Sequence, residues 1–257
     1  MTNVRPDAPY PVLLERYDQD IRENPKNYLK RVERALLVLE QRDTGRTTAE
    51  DIDTLLSHSE WRNEGLRLNA IRLHHQKRFD EAMSLIQENI RNNIHVREQS
   101  RLLADIELFR RDTNGAIDAY HTAWAKDSDE TDYIDLLDLQ SGRGNPPEEL
   151  LQQGLHRYPR SAGSIQSIFE VYSAAGDSGS LQKALQVSDR AINTLWPLSV
   201  DWKIRHARVL ISLKRPREAK PVLLAALDLL DEDVRLKGSD SEPVRKQIFT
   251  LLEVVRK

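Results

Sequence analysis

A chain of 257 residues that is 31% charged yet 39% hydrophobic has enough apolar side chains for a core and too many for a disordered polymer. Its net charge of −3 gives no electrostatic pull toward nucleic acid or anionic lipid, and with no cysteine it excludes disulfides, zinc–thiolate sites and cysteine nucleophiles. Scarce glycine (10 residues), no β-branched alternation and no apolar run of about 20 residues leave an all-α chain without a membrane span as the expectation.

The opening Met1–Pro11 carries prolines at 6, 9 and 11 and no apolar core. Residues 1–10 read as an extended leader and not as a signal peptide. Such a leader is either a natural start or what remains once a signal or anchor has been removed. Residues 11–23 read as a lone helix closed by Asn24-Pro25. A helix over 26–41 comes next, with Tyr28, Leu29, Val32, Leu36, Leu37 and Leu39 inward, paired with a second over 47–58.

From there a pattern recurs. Glu81-Ala82, Gly115-Ala116, Glu149-Leu150, Lys183-Ala184 and Glu218-Ala219 each open an amphipathic segment, and their second members are spaced 34, 34, 34 and 35 residues apart. Seven residues beyond the small anchors stand Asn89, Ala123, Ala191 and Ala226, and twelve before them Ala70, Ala104, Tyr172 and Ala207. Polar turns lie between, at 76–78, 111–114, 176–179 and 214–216. Two antiparallel helices cannot bury their apolar faces alone, so such units stack, and small residues are needed where backbones approach most closely. Three features depart from the pattern. Leu150 replaces a small anchor, 141–147 form a long turn, and Pro221 requires its helix to begin near residue 218. Residues 241–257, with Pro243 in the first turn and Val244, Ile248, Leu251, Leu252 and Val255 on one stripe, read as a helix capping the repeats of 11–240.

Gln76-Lys77-Arg78-Phe79-Asp80-Glu81-Ala82 and Gly115-Ala116-Ile117-Asp118-Ala119-Tyr120 resemble the tetratricopeptide repeat (TPR) family, and the register extends that resemblance over roughly residues 11 to 235. It implies a right-handed α-α superhelix, a solenoid of about six helix-turn-helix units, with more than about two-thirds of the chain helical and no strand. The layout is also similar to exported bacterial members of the family. It runs from a helix ending in Asn-Pro through Tyr28-Leu29-Lys30-Arg31 and several units to Trp202, Arg208-Val209-Leu210, Arg217-Glu218-Ala219 and a short cap. That likeness implies an extracytoplasmic, periplasmic setting.

The resemblance further implies that first helices line a concave face holding a partner protein or peptide. The register assigns Glu64, Glu98, Asp132 and Gln166 to that face, with Arg67, Arg101, Asp135 and Phe169 one turn on and Ile71, Asp105, Leu139 and Ser173 beyond. Arg67, Ile71, Arg101, Asp105, Asp132, Asp135 and Phe169 are therefore the expected partner groove, basic at one end and acidic at the other. The alternative for Glu64–Arg67 and Glu98–Arg101 is that these i,i+3 pairs only stabilise their own helices. Family members that grip chaperone C-terminal carboxylates use a lysine–asparagine–arginine cluster, which the acids at 105, 132 and 135 would oppose. His74 and His75, about 100° apart on a helix, cannot share a metal with His95 and His121 in that frame, and no HExxH occurs. Trp61, Trp124, Trp196 and Trp202 read as fillers between repeats. With no phosphate loop or nucleophile elbow, no catalytic, metal or cofactor-binding residues are expected. The alternatives are a homodimer formed through the leucine-rich helix 222–230 and a helical-repeat nucleic-acid reader. Charge and period oppose the second.

Overall fold

The computed structural model describes residues 9–142, 147–232 and 241–256. Among them are fourteen α-helices and no strand. In order these are α1 (Tyr10–Glu23), α2 (Tyr28–Glu40), α3 (Arg46–Leu56), α4 (Arg62–His75), α5 (Phe79–Arg91), α6 (Val96–Phe109) and α7 (Thr113–Asp127). Then come α8 (Glu130–Ser141), α9 (Glu148–Arg157), α10 (Ala162–Ala175), α11 (Ser178–Arg190), α12 (Val200–Ser212), α13 (Pro216–Glu232) and α14 (Glu242–Arg256). A π-helical turn, Ala191–Leu195, runs on from α11 and closes with Trp196 N–H donating to Ala191 O at 2.7 Å. The leader up to residue 8, residues 143–146 of the long turn and residues 233–240 before the last helix lie outside the described residues.

The chain divides into two compact units, Met1–Asp132 and Tyr133–Lys257. In the first, Val32, Ala35 and Leu39 of α2, Ile52 and Leu55 of α3, and Leu68 of α4 make one cluster, with Trp61 packed on it. Ala70 and Leu73 of α4, Ala82 and Ile86 of α5, and Ile106 of α6 make the next. Each helix pair thus buries its apolar stripe against its sequence neighbours, as a repeat stack requires. The small anchors Ala82, Ala116, Ala184 and Ala219 have no exposed surface, nor do Asn89, Ala123, Ala191, Ala226, Ala70, Ala104 and Ala207. Asn89, the one polar member, donates to the buried Gln99 Oε1 at 3.2 Å.

The irregular fourth repeat has a local cause. Tyr133 is wholly buried, and its phenol lies across the backbone of α9 at Gly154, where an added Cβ would sit 2.1 Å from the hydroxyl oxygen. The small residue this repeat needs has moved one turn past Leu150, which is free to be large. α13 starts at Pro216, earlier than the start near 218 that Pro221 required, so Pro221 stands inside the helix and leaves the carbonyl of Arg217 without its usual donor.

Turns and caps obey local chemistry. Asn27, Asp112, Ser161, Asp177 and Ser199 accept hydrogen bonds from backbone N–H groups at helix starts. Arg42, Lys77, Arg111 and Lys214 each close a first helix in the left-handed conformation, with φ of 58°, 60°, 63° and 58°. The next residue bonds back across the turn, as in Arg78 N–H to Leu73 O at 3.0 Å and Asp112 N–H to Glu107 O at 2.8 Å. Gly176, φ 71°, takes the same left-handed conformation after α10.

Candidate partner-binding faces

On the first helices of the first unit, arginines link one repeat to the next. Arg67, 8% exposed, donates from Nε to Glu64 Oε2 at 2.8 Å and from Nη1 to Glu98 Oε1 of the following repeat at 2.8 Å. The i,i+3 pairing weighed for it is present, and its remaining ion pair goes to the next repeat. One repeat on, Asp132 has no exposed surface and is gripped by Arg97 Nε at 2.6 Å and by Arg101 Nη1. The hydrogen bond to Asp132 holds the Arg97 guanidinium above the usual arginine range. Nearer the N-terminus, buried Asp51 accepts from Arg31 Nη1 at 2.8 Å and from Arg34 Nε and Nη2 at 2.7 and 2.6 Å, while Arg34 also reaches Asp18.

The expected groove residues therefore differ in what they offer. Arg67 and Asp132 are structural. Arg101 is half-exposed and its guanidinium lies 5.7 Å over the Tyr120 ring. Ile71 packs partly on the α2–α4 cluster, and Asp105 is exposed on α6. In the second unit Asp135 is half-buried and Phe169 is buried, edge-on to Trp202 with centroids 5.3 Å apart.

The second unit has a concavity on this face, a groove of about 250 Å³ between α10 and α12 lined by Phe169, Ser173, Leu181, Arg205, Arg208 and Val209. The Arg205 guanidinium lies 5.9 Å over Phe169 and 5.7 Å over Trp202, bonded to Asp201 at 2.7 Å and Glu170 at 3.0 Å. Trp196 stacks on Trp202 at 5.8 Å and 12°, so Phe169, Trp202 and Trp196 form a continuous pile of rings with Phe169 at the groove. Arg208, exposed one turn on, has no ion pair among the described residues, and Ser173 Oγ is buried without a hydrogen-bond partner. On α8, desolvation first and then the carboxylates of Asp135 and Glu170 push the Asp138 carboxyl up. The sequence reading missed Arg205 and Arg208, although carrying Ser173 forward by the 35-residue spacing lands on Arg208.

Of the histidines, His58, His95, His121 and His156 are exposed, and three are not. His74 and His75 are half-buried with unbonded Nδ1 atoms, and burial lowers both pKa values. His206 is buried with Nδ1 3.0 Å from Ser188 Oγ, whose hydroxyl donates to Leu185 O. Ser188 has no exposed surface, so this Ser–His contact offers no nucleophile to a substrate. Among the described residues no group of three or more histidine or acidic side chains could hold a metal ion, and no helix is long and apolar enough to cross a membrane.

Helix pairs recurring every 34 residues around buried alanines define an α-helical repeat solenoid. Its fold is TPR-like. No family model matches the chain, and no curated protein matches it. Solved structures do. A tetratricopeptide repeat protein from Parabacteroides merdae aligns at 13% identity and a TM-score of 0.44, over 95% of this chain and 91% of that one. The Naa15/Naa10 complex bound to HypK-THB aligns at 15% identity and a TM-score of 0.58, over 89% of this chain and 39% of that one. A thermophilic TPR protein of Thermus thermophilus aligns at 19% identity and a TM-score of 0.39, over 74% and 99%. At these identities the likeness is one of fold.

Proposed function

We propose that the chain is a non-catalytic scaffold that holds another protein or peptide on the face formed by its first helices. The observation that carries this reading is the α10–α12 groove, where the unpaired guanidinium of Arg208 and the unsatisfied hydroxyl of Ser173 stand together beside Phe169. Such a set suits carbonyls and a carboxylate of an extended or helical segment, with the buried rings of Phe169 and Trp202 holding Arg205 in place beside it. On the first helices of the first unit Ile71, Arg101 and Asp105 would offer contacts of their own, while Arg67 and Asp132 act by fixing the helices that present them. Asp135 and Phe169 belong to the second unit's share of the face.

Self-association through residues 222–230 is the weaker reading. Leu223 and Leu230 are buried and α14 packs along α13, which leaves Leu224, 44% exposed, as the large apolar side chain on view there. An extracytoplasmic setting completes the proposal and rests on the sequence layout, and cell fractionation tests it. For the binding face, capture from a native lysate by the wild-type chain should lose its bound protein in Arg208→Glu and keep it in Arg217→Glu, on α13, with helicity equal in both. Equal capture by the two variants would move the binding face away from α10–α12.

A further inference from the structure

The second helices carry three grooves at one register of the repeat, one in the first unit and two in the second. They lie over α5–α7, α9–α11 and α11–α13, and enclose about 450, 190 and 280 Å³. Gln87, Leu155 and Asp189 occupy equivalent lining positions in the three, as do Gly115, Lys183 and Glu218. Because the backbone setting is shared, the grooves serve as controls for one another.

Their charges are handled differently. In the α9–α11 groove Lys183 Nζ pairs with Glu148 at 2.7 Å and lies 5.5 Å over Tyr172, and Arg190 donates to Pro159 O at 2.8 Å. In the α11–α13 groove Arg215 and Glu218 pair at 2.6 Å, and Asp189 accepts from Asn193 at 2.8 Å. In the α5–α7 groove Arg91 at one end and Glu107 and Asp118 at the other have no ion-pair partner among the described residues. At its floor Ser100 is wholly buried and its Oγ has no hydrogen-bond partner. Ile90, Leu103 and Ala119 make the middle apolar. Gly115 keeps the acidic end open, since a Cβ there would lie 3.0 Å from Glu107 Cδ.

We propose that the α5–α7 groove docks a helical segment of a partner protein that carries one basic and one acidic side chain about two turns apart. Its basic residue meets Glu107 and Asp118, its acidic residue meets Arg91, and a small apolar side chain between them sits over Ala119. The repeat sets the spacing. Arg91 stands at the register of residue 125 on α7, about seven residues and roughly 10 Å along the helix from Asp118. Helix-in-groove recognition of this kind takes its contact area from the apolar floor and its orientation from the charged ends. It uses a surface separate from the first-helix face.

The absence of cysteine allows one label to be placed cleanly. Gln87→Cys carrying an environment-sensitive fluorophore reports on the α5–α7 groove, and Gln186→Cys on the α9–α11 and α11–α13 grooves, both of which it lines. The probes are three alanine-based helical peptides of roughly 15 residues carrying Lys/Glu, Lys/Lys or Glu/Glu seven positions apart. The Lys/Glu peptide should bind the first groove about fivefold tighter than either of the others, with no response from the second label. Arg91→Glu should transfer the preference to the Lys/Lys peptide. Absence of binding, equal affinity for the three peptides, an equal response from both labels, or an unchanged ranking in Arg91→Glu would each overturn the proposal.

Discussion

The two units hold their repeats together with different chemistry. In the first, Asp51 and Asp132, both without exposed surface, are clasped by arginines, and Arg67 bridges Glu64 to Glu98. In the second, rings do the comparable work. Tyr133 packs on Tyr158 at 5.4 Å, Phe169 on Trp202 and Trp202 on Trp196, while pairs such as Arg205–Asp201 and Arg215–Glu218 stay near the surface. A helical repeat therefore fixes only where small residues must go. What links neighbours is open, and the choice decides how each unit fails. A buried charge cluster is intolerant of losing one partner, whereas a ring stack is intolerant of added volume.

The largest effect should come from Asp51→Ala. Removing that carboxylate takes one partner from Arg31 and leaves buried Arg34 with Asp18 alone, and should cost about 3 kcal/mol in urea unfolding. Replacing both members, Arg34→Met with Asp51→Leu, should recover most of the loss. A cost for Asp51→Ala below about 1 kcal/mol would mean that the first unit does not depend on its charges.

In the second unit the counterpart is Gly154→Ala, which drives a methyl group into the Tyr133 phenol and should cost about 1–3 kcal/mol. Tyr133→Phe, which removes only the crowding oxygen, should relieve part of that loss in the double variant. If Gly154→Ala melts with the wild type, the ring packing is looser than the comparison requires.

These two sites mark what the sequence could and could not disclose. Ala82, Ala116, Ala184 and Ala219 were legible because closest approach between helices demands a small residue at a fixed period, and all four are buried. Arg67 and Asp132 were placed on an open face because spacing tells which side of a helix a residue takes. It does not tell which neighbour it meets 31 positions later, as in Arg67–Glu98 and Arg101–Asp132. Gly154 was passed over because its need arises from the Tyr133 ring on another helix. Arg205 escaped notice because its role depends on the stacked rings beneath it.

Acid should erode both units. Burial lowers the pKa of His206 in the second unit and of His74 and His75 in the first, from an ordinary value of 6.5. The unfolded chain then binds protons more readily than the folded one. This part of the stability is complete above about pH 6.5 and is lost as pH falls toward the lowered folded values. Thermal unfolding between pH 7.5 and 5 should show that decline, with a shallower slope in His206→Gln. A flat profile would remove burial of the imidazoles as a contribution common to the two units.

The smallest effect separates the turns. Lys77→Gly, at φ 60°, should stabilise the chain by about 0.5–1 kcal/mol by relieving a left-handed lysine, whereas Gly176→Ala, at φ 71°, should do the reverse by a similar amount. Opposite signs in chemical denaturation would confirm that one turn geometry is met by strain at Lys77 in the first unit and by glycine at Gly176 in the second, where Lys214 carries the same strain as Lys77.

The π-helical turn at Ala191–Leu195 accounts for the one irregular interval in the repeat. Ala82 to Ala104, Ala116 to Asp138 and Leu150 to Tyr172 each span 22 positions, but Ala184 to Ala207 spans 23. A wide turn accommodates one surplus residue without rotating the helices beyond it, so Ala207 and Ala219 regain their buried positions. The turn thus behaves as the scar of a single-residue insertion, absorbed where a helix ends. Excising Asn193 should convert α11 to uninterrupted α-helix and leave every later repeat in phase, whereas deleting one residue from the middle of α12 should throw Ala207 out of register with its neighbours.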